Sequence, residues 1–167
     1  MAAVAVIMEG RAVKLAEALA LRSDASKRFE QLRSRAQGNA RYQEGEPPAE
    51  DAAALMAEAD RVLAELEDLI RRINRTNAVT RLDERMTLTD AIARRDVLRL
   101  RHALYTSVAD AASGRSGGVA RQMRSELRLV AAVGVSGLRD RADQVAKECR
   151  ELDIRIQRAN WEADLAD

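Results

Sequence analysis

Six polar residues have types and spacing that could do chemistry together: Asn74 and Asn77, then Arg94, Arg95 and Asp96, then His102. Two guanidinium forks could hold a carboxylate or phosphate of a small polar ligand, and the asparagine amides could set its orientation. The same residues could instead form a hydrogen-bonded ion-pair network that fixes the local fold, the commoner role of such clusters. Other chemistries find fewer residues to work with. His102 is the sole histidine and Cys149 the sole cysteine. Lone groups on different segments do not make a structural zinc site, and we expect neither metal nor cofactor. No residue pattern places a nucleophile on a sharp elbow or beside His102. We therefore assign no catalytic residue and read the chain as non-enzymatic. Ser113 to Gly118, SGRSGG, lacks the Gly-Lys-Ser/Thr ending of a phosphate-binding loop. Glu44, Glu46, Glu50 and Asp51 lack the ligand spacing of a calcium loop and are placed instead to cap the helix that follows.

The elements that must position these residues are helices. From Asp51 to Asn77, Leu55, Ala59, Val62, Leu66, Leu69 and Ile73 recur at alternating steps of four and three, one stripe of an α-helix. Met56, Leu63 and Ile70 widen it, and so broad a face needs cover from other elements of the chain or from a partner. A first helix is expected from about residue 11 to 37, stopped by Gly38 and Asn39 in a left-handed conformation. Pro47 and Pro48 break the connector after it. Beyond Asn77 the period falls towards two in AVTRLDERMTLT, which predicts a short β-hairpin. Thr87 or Thr89, supported by Asp90, then caps a third helix to about residue 112. Its inner face carries Ala91, Ile92, Leu98, Tyr105, Val108 and Ala112, with Arg94, Arg95 and His102 at or beside it. ELRLVAAVGV reads as a further strand ending at Gly134. A last helix runs from Ser136 to Asn160 on the stripe Leu138, Ala142, Val145, Cys149, Leu152, Ile156 and Ala159. Trp161 is expected to pack as its terminal anchor.

The fold class that follows is mainly α: an elongated antiparallel helical bundle of three to four long helices with a small antiparallel β-hairpin or sheet. Residues 1–10 read as an N-terminal extension and residues 11–167 as a single helical domain. Hydrophobic residues make up 47% and charged residues 33% of the 167, with a net charge of +1. The interspersed charges offer no positive field for nucleic acid, so no nucleic-acid partner is expected. Neither a signal peptide nor a stretch of roughly 20 apolar residues is evident, so the expected location is cytoplasmic. Wide apolar stripes and an aromatic content of only 2% leave one thin chain little material to cover itself. A homo-oligomer is the expected partner state.

Five blocks, KLAEALALR, NARYQEGEPP, LIRRINRTN, TLTDAIARRD and ELDIRIQRANW, together resemble the septicolysin-like family of small bacterial proteins, over nearly all the chain after Arg11. The family carries no agreed catalytic residues. Its name implies a cytolysin, and under that alternative Leu129, Val130, Ala131, Ala132 and Val133 are the candidate membrane-inserting segment, with release by a non-classical route. The leading expectation is an oligomeric, non-catalytic scaffold or interaction protein, with pore formation second and a small polar-ligand binder third.

Overall fold

The computed structural model describes residues 12–115 and 130–167. In chain order these form α1 (Leu15–Gly38), α2 (Ala52–Val79), β1 (Arg81–Asp83), β2 (Met86–Thr87), α3 (Leu88–Ala112) and α4 (Val135–Glu162). The protein is thus mainly helical, with one small two-stranded antiparallel sheet among the described residues, as the periodicities indicated. It divides into two compact units. One comprises the described residues up to Arg81 together with Gln157–Asp167, and the other runs Leu82–Ile156.

In the first unit α1 and α2 form an antiparallel hairpin. Its direction is visible in the ion pairs: Arg35 meets Glu50, and seven residues earlier on α1 Arg28 meets Glu58, 2.6 Å away and further along α2. Leu32 packs with Leu55, Ala59 and Val62, and the half-buried Ala25, Phe29 and Ala36 close around them. Asp51 caps α2, its Oδ1 accepting from the amides of Ala53 at 2.8 Å and Ala54 at 3.3 Å. This is the role expected for that acidic residue.

The end of α1 differs from expectation. Asn39 has φ −105°, and positive φ appears later, at Gly45. The Asn39 backbone amide closes the last turn of α1 without a left-handed residue, and its side chain reinforces that end. Its Nδ2 donates to the Arg35 carbonyl at 2.9 Å, and its Oδ1 accepts from the Glu50 amide at 3.1 Å. One side-chain amide therefore adds a second donor to the Arg35 carbonyl, which already accepts from the Asn39 backbone amide at 3.1 Å, and ties down the start of α2.

The end of the chain completes this unit. The Ala163 carbonyl accepts from the Leu15 amide at 3.0 Å and the Leu165 amide donates to Val13 at 2.8 Å, forming an antiparallel bridge between Lys14 and Asp164. Buried Thr76 accepts from the Ala166 amide at 2.9 Å. The expected anchoring by Trp161 does not occur, since Trp161 is 63% exposed while Asn160 is buried. Four residues beyond Ile156 the helical stripe falls on Asn160, which leaves Trp161 turned away from the core.

In the second unit the hairpin turns without a glycine. Asp83 Oδ1 accepts from the Arg85 amide at 2.9 Å, and no described non-glycine residue has positive φ. Hairpin turns of types I′ and II′ both require positive φ and are therefore excluded here. An unprimed turn splays its strands, which accounts for strands of only three and two residues. Thr87 and Asp90 form the expected capping box at the start of α3, with Thr87 N–H donating to Asp90 at 2.9 Å and Asp90 N–H to Thr87 Oγ1 at 3.2 Å. Leu88, Ala91, Leu98 and Ala109 of α3 are buried, as are Ala142, Val145, Leu152 and Ile156 of α4.

The strand expected up to Gly134 is not formed in its described part. Residues 130–134 are irregular and exposed, so the alternation of Ala131 and Val133 has no buried face to serve. Leu127 and Leu129, which shared that expectation, and Ser116 to Gly118 lie outside the described residues, as does the N-terminal extension.

Candidate functional site

On α3, Arg94, Arg95 and Asp96 occupy consecutive positions two turns inside the capped N-terminus, and α4 brings carboxylates to them. Arg95 donates through Nε and Nη2 to Asp96 Oδ1 at 3.0 and 2.8 Å, and its Nε lies 3.9 Å from Asp153. Arg99, one turn on, donates to Asp153 at 3.1 and 3.4 Å. Arg94 lies 4.0 Å from Glu148, and Arg155 donates to Asp83 at 2.7 Å. Each of these four guanidinium groups thus faces a carboxylate of its own chain. A cleft of 170 Å³ lined by Arg94, Glu148, Glu151, Leu152 and Arg155 lies among them. That volume is below the roughly 300–1,000 Å³ of small-molecule sites. The arrangement can clamp α3 and the hairpin to α4 without presenting an unopposed positive charge.

Of the six residues singled out from the sequence, the structure brings Arg94, Arg95 and Asp96 into this network. His102 lies half-buried further along α3 and takes part in none of these contacts. Asn74 and Asn77 belong to α2 in the first unit, the former exposed and the latter half-buried. Sequence reading passed over Asp83, Arg99, Glu148, Asp153 and Arg155. Asp153 was within reach, because it stands four residues from Cys149 on the recognised stripe. Cys149, half-buried, has its Sγ 3.9 Å from Asp153.

Electrostatics give this unit an acid limit. The Arg155 guanidinium, then the Arg85 amide, hold the Asp83 carboxyl below its ordinary range, and the Thr87 hydroxyl and amide do the same for Asp90. A carboxyl whose folded pKa is depressed stabilises the fold above its unfolded value, about 3.9, and loses that contribution as pH falls through the folded pKa. We expect the unfolding temperature to be flat around neutrality and to fall below about pH 4. Asp83→Asn should flatten part of that fall, as read by circular-dichroism melts over the acid range, and an unchanged acid slope would contradict the assignment.

A second polar cluster was missed altogether. Arg72 Nε donates to the Ala166 carbonyl at 2.9 Å, Arg75 Nη1 donates to the Asp167 carbonyl at 2.8 Å, and Lys14 Nζ pairs with Asp164 at 2.7 Å. Thr76, 1% exposed, sits at its centre. The signal existed, since the stripe Leu66, Leu69, Ile73 continues by a step of three to Thr76. The neighbouring asparagines drew attention instead.

The first unit also carries an apolar groove of 370 Å³ between α1 and α2, lined by Phe29, Ala36, Met56, Ala59 and Leu63 and edged by Arg33 and Asp60. Its size suits a small ligand or an inserted side chain. Among the described residues no helix is long and apolar enough to cross a membrane.

Residues 22–165 match a family model described as "Family of unknown function (DUF6847)". Among solved structures the chain is similar to one described as "Crystal structure of a functionally unknown conserved protein from Corynebacterium diphtheriae", with 42% identity and a TM-score of 0.86 over 93% of this chain and 100% of that one. No curated protein matches the chain.

Proposed function

The chain belongs to that family of unknown function, and for it we propose the role of a cytoplasmic, oligomeric, non-catalytic helical interaction protein of the septicolysin-like type. The observation that carries this reading is apolar surface left in water at helical spacing. Met56, Leu63 and Ile70 are exposed at successive steps of seven on α2, and Val97, Leu100 and Leu104 are exposed at steps of three and four on α3. Scattered apolar residues are ordinary on a protein surface, whereas aligned ones mark an interaction surface. The internally compensated arginine cluster supports a structural role for the polar residues over ligand binding.

The test is the solution mass of the full chain by sedimentation, paired with dye release from neutral and anionic liposomes. The expected result is a mass that is a multiple of 18.4 kDa with no leakage. A monomer at every concentration overturns the oligomeric reading. Dose-dependent leakage that a charge at Ala131 or Val133 abolishes would replace it with the pore-forming one.

A further inference from the structure

Helix α3 is apolar on two opposite faces. One carries the buried Leu88, Ala91, Leu98 and Ala109. The other carries Ala93, Val97, Leu100, Leu104, Ser107 and Ala111, at steps of four, three, four, three and four, all of them exposed. Val97, Leu100 and Leu104 are exposed by 53%, 72% and 56%. That 3.5-residue period is the pattern of a coiled-coil seam, with Val97, Leu104 and Ala111 at the a positions and Ala93, Leu100 and Ser107 at d.

We propose that this face of α3 is the self-association surface of the protein, and that its occupant is α3 of a second copy, lying parallel and in register. The proposal rests on the oligomeric reading above and names its interface. The flanking charges select the partner and its direction. Asp96 falls at a g position and Arg101 five residues later at e, and in a parallel pair g of one helix faces the following e of the other. Asp96 of each copy then meets Arg101 of its partner copy, twice by symmetry. Asp96 bonds Arg95 of its own helix yet keeps its side chain 57% exposed, and Arg101 is exposed, so both ends are accessible. An antiparallel pair would set g against g and e against e, opposing Asp96 to Asp110 and Arg101 to its own copy. Like charges so placed are unfavourable.

The seam residues agree with the charges. One heptad of the seam pairs a β-branched residue at a with leucine at d, Val97 with Leu100, the combination that favours two strands over three or four. The seam from Ala93 to Ala111 is about 28 Å long at helical rise. One helix face of that length buries less than the about 800 Å² per partner of a standard stable interface, so the dimer should be reversible on dilution.

The experiment is sedimentation equilibrium of the full chain from about 1 μM to about 100 μM, a range that spans weak association. It compares the natural sequence, Leu100→Glu, Asp96→Arg, and the double reversal Asp96→Arg with Arg101→Asp. Because Leu100 and both charges are exposed, helicity by circular dichroism should be unchanged in all four. The expected result is a dimer of twice 18.4 kDa for the natural chain. Leu100→Glu and Asp96→Arg should each weaken it, the former at least about tenfold, and the double reversal should recover it. An oligomer untouched by Leu100→Glu overturns this seam while leaving the oligomeric reading standing. Loss in Leu100→Glu without recovery in the double reversal overturns the parallel register, and a natural chain that stays monomeric overturns both readings.

Discussion

Leu32→Ala is expected to cost about 2–5 kcal/mol of folding stability, while Leu100→Ala, an identical truncation on another helix, should change it by less than about 0.5 kcal/mol. The difference is one of environment. Leu32 is 2% exposed and is held by Leu55, Ala59 and Val62 across the α1–α2 hairpin. Truncation there forfeits the transfer of its methyl groups from water and leaves a cavity whose walls are two helices already tied by Arg35–Glu50 and Arg28–Glu58. Leu100, 72% exposed, has neither term to lose in the isolated chain. Urea titrations below the association range would separate the two variants. Equal losses would mean that the exposed α3 face is covered within the monomer, contrary to the surface described above.

Thr76→Val should cost about 1–3 kcal/mol, the penalty for stranding a buried polar group. The threonine hydroxyl donates to the Arg72 carbonyl at 2.9 Å and accepts from the Ala166 amide at 2.9 Å. Valine keeps the shape but offers that amide no acceptor. Thr76→Ser should restore most of the stability, because it restores the oxygen. Hydrogen exchange provides the local readout, with the Ala166 amide exchanging faster in the valine variant and close to the natural rate in the serine one. If exchange at Ala166 is the same in all three, the hydroxyl does not hold this segment.

The helices were legible because each announces itself locally. The stripe Leu55, Ala59, Val62, Leu66, Leu69 and Ile73 identified α2, and all but the half-buried Leu66 are buried. Asp51, and Thr87 with Asp90, marked two helix starts because capping involves residues only two or three apart. Leu82-Asp83-Glu84-Arg85-Met86 marked a hairpin by its change of period, although its turn type had to await the backbone angles. Local signals failed where one residue competes with its neighbour for a burial site. Trp161 looked like the anchor by size, yet the helical phase gave the place to Asn160. The alternation of Ala131 and Val133 looked like a strand, but alternation becomes a strand only when one face is covered.

The candidate polar site shows the same division. Arg94, Arg95 and Asp96 stood out because they are adjacent, but their meaning depends on what faces them. Asp153 and Glu148 come from more than fifty residues away, and they turn a possible anion grip into a set of closed ion pairs. The second stripe of α3 was equally present in the residues, since Val97, Leu100 and Leu104 keep their 3.5-residue phase in any context. Periodicity says which residues share a face, and it cannot say which of two apolar faces the chain itself will cover.

The sequence by itself therefore determined what arises from contacts a few residues apart: the helices, the N-caps of α2 and α3, the hairpin, and the residues that share each face. Only the tertiary structure decided what arises across long separations. It closed the arginine cluster with α4 carboxylates, pinned Ala166 to Thr76, and left one face of α3 in water. Those outcomes depend on which distant groups arrive to satisfy a charge, a hydrogen bond or an apolar face, and no local pattern carries that choice.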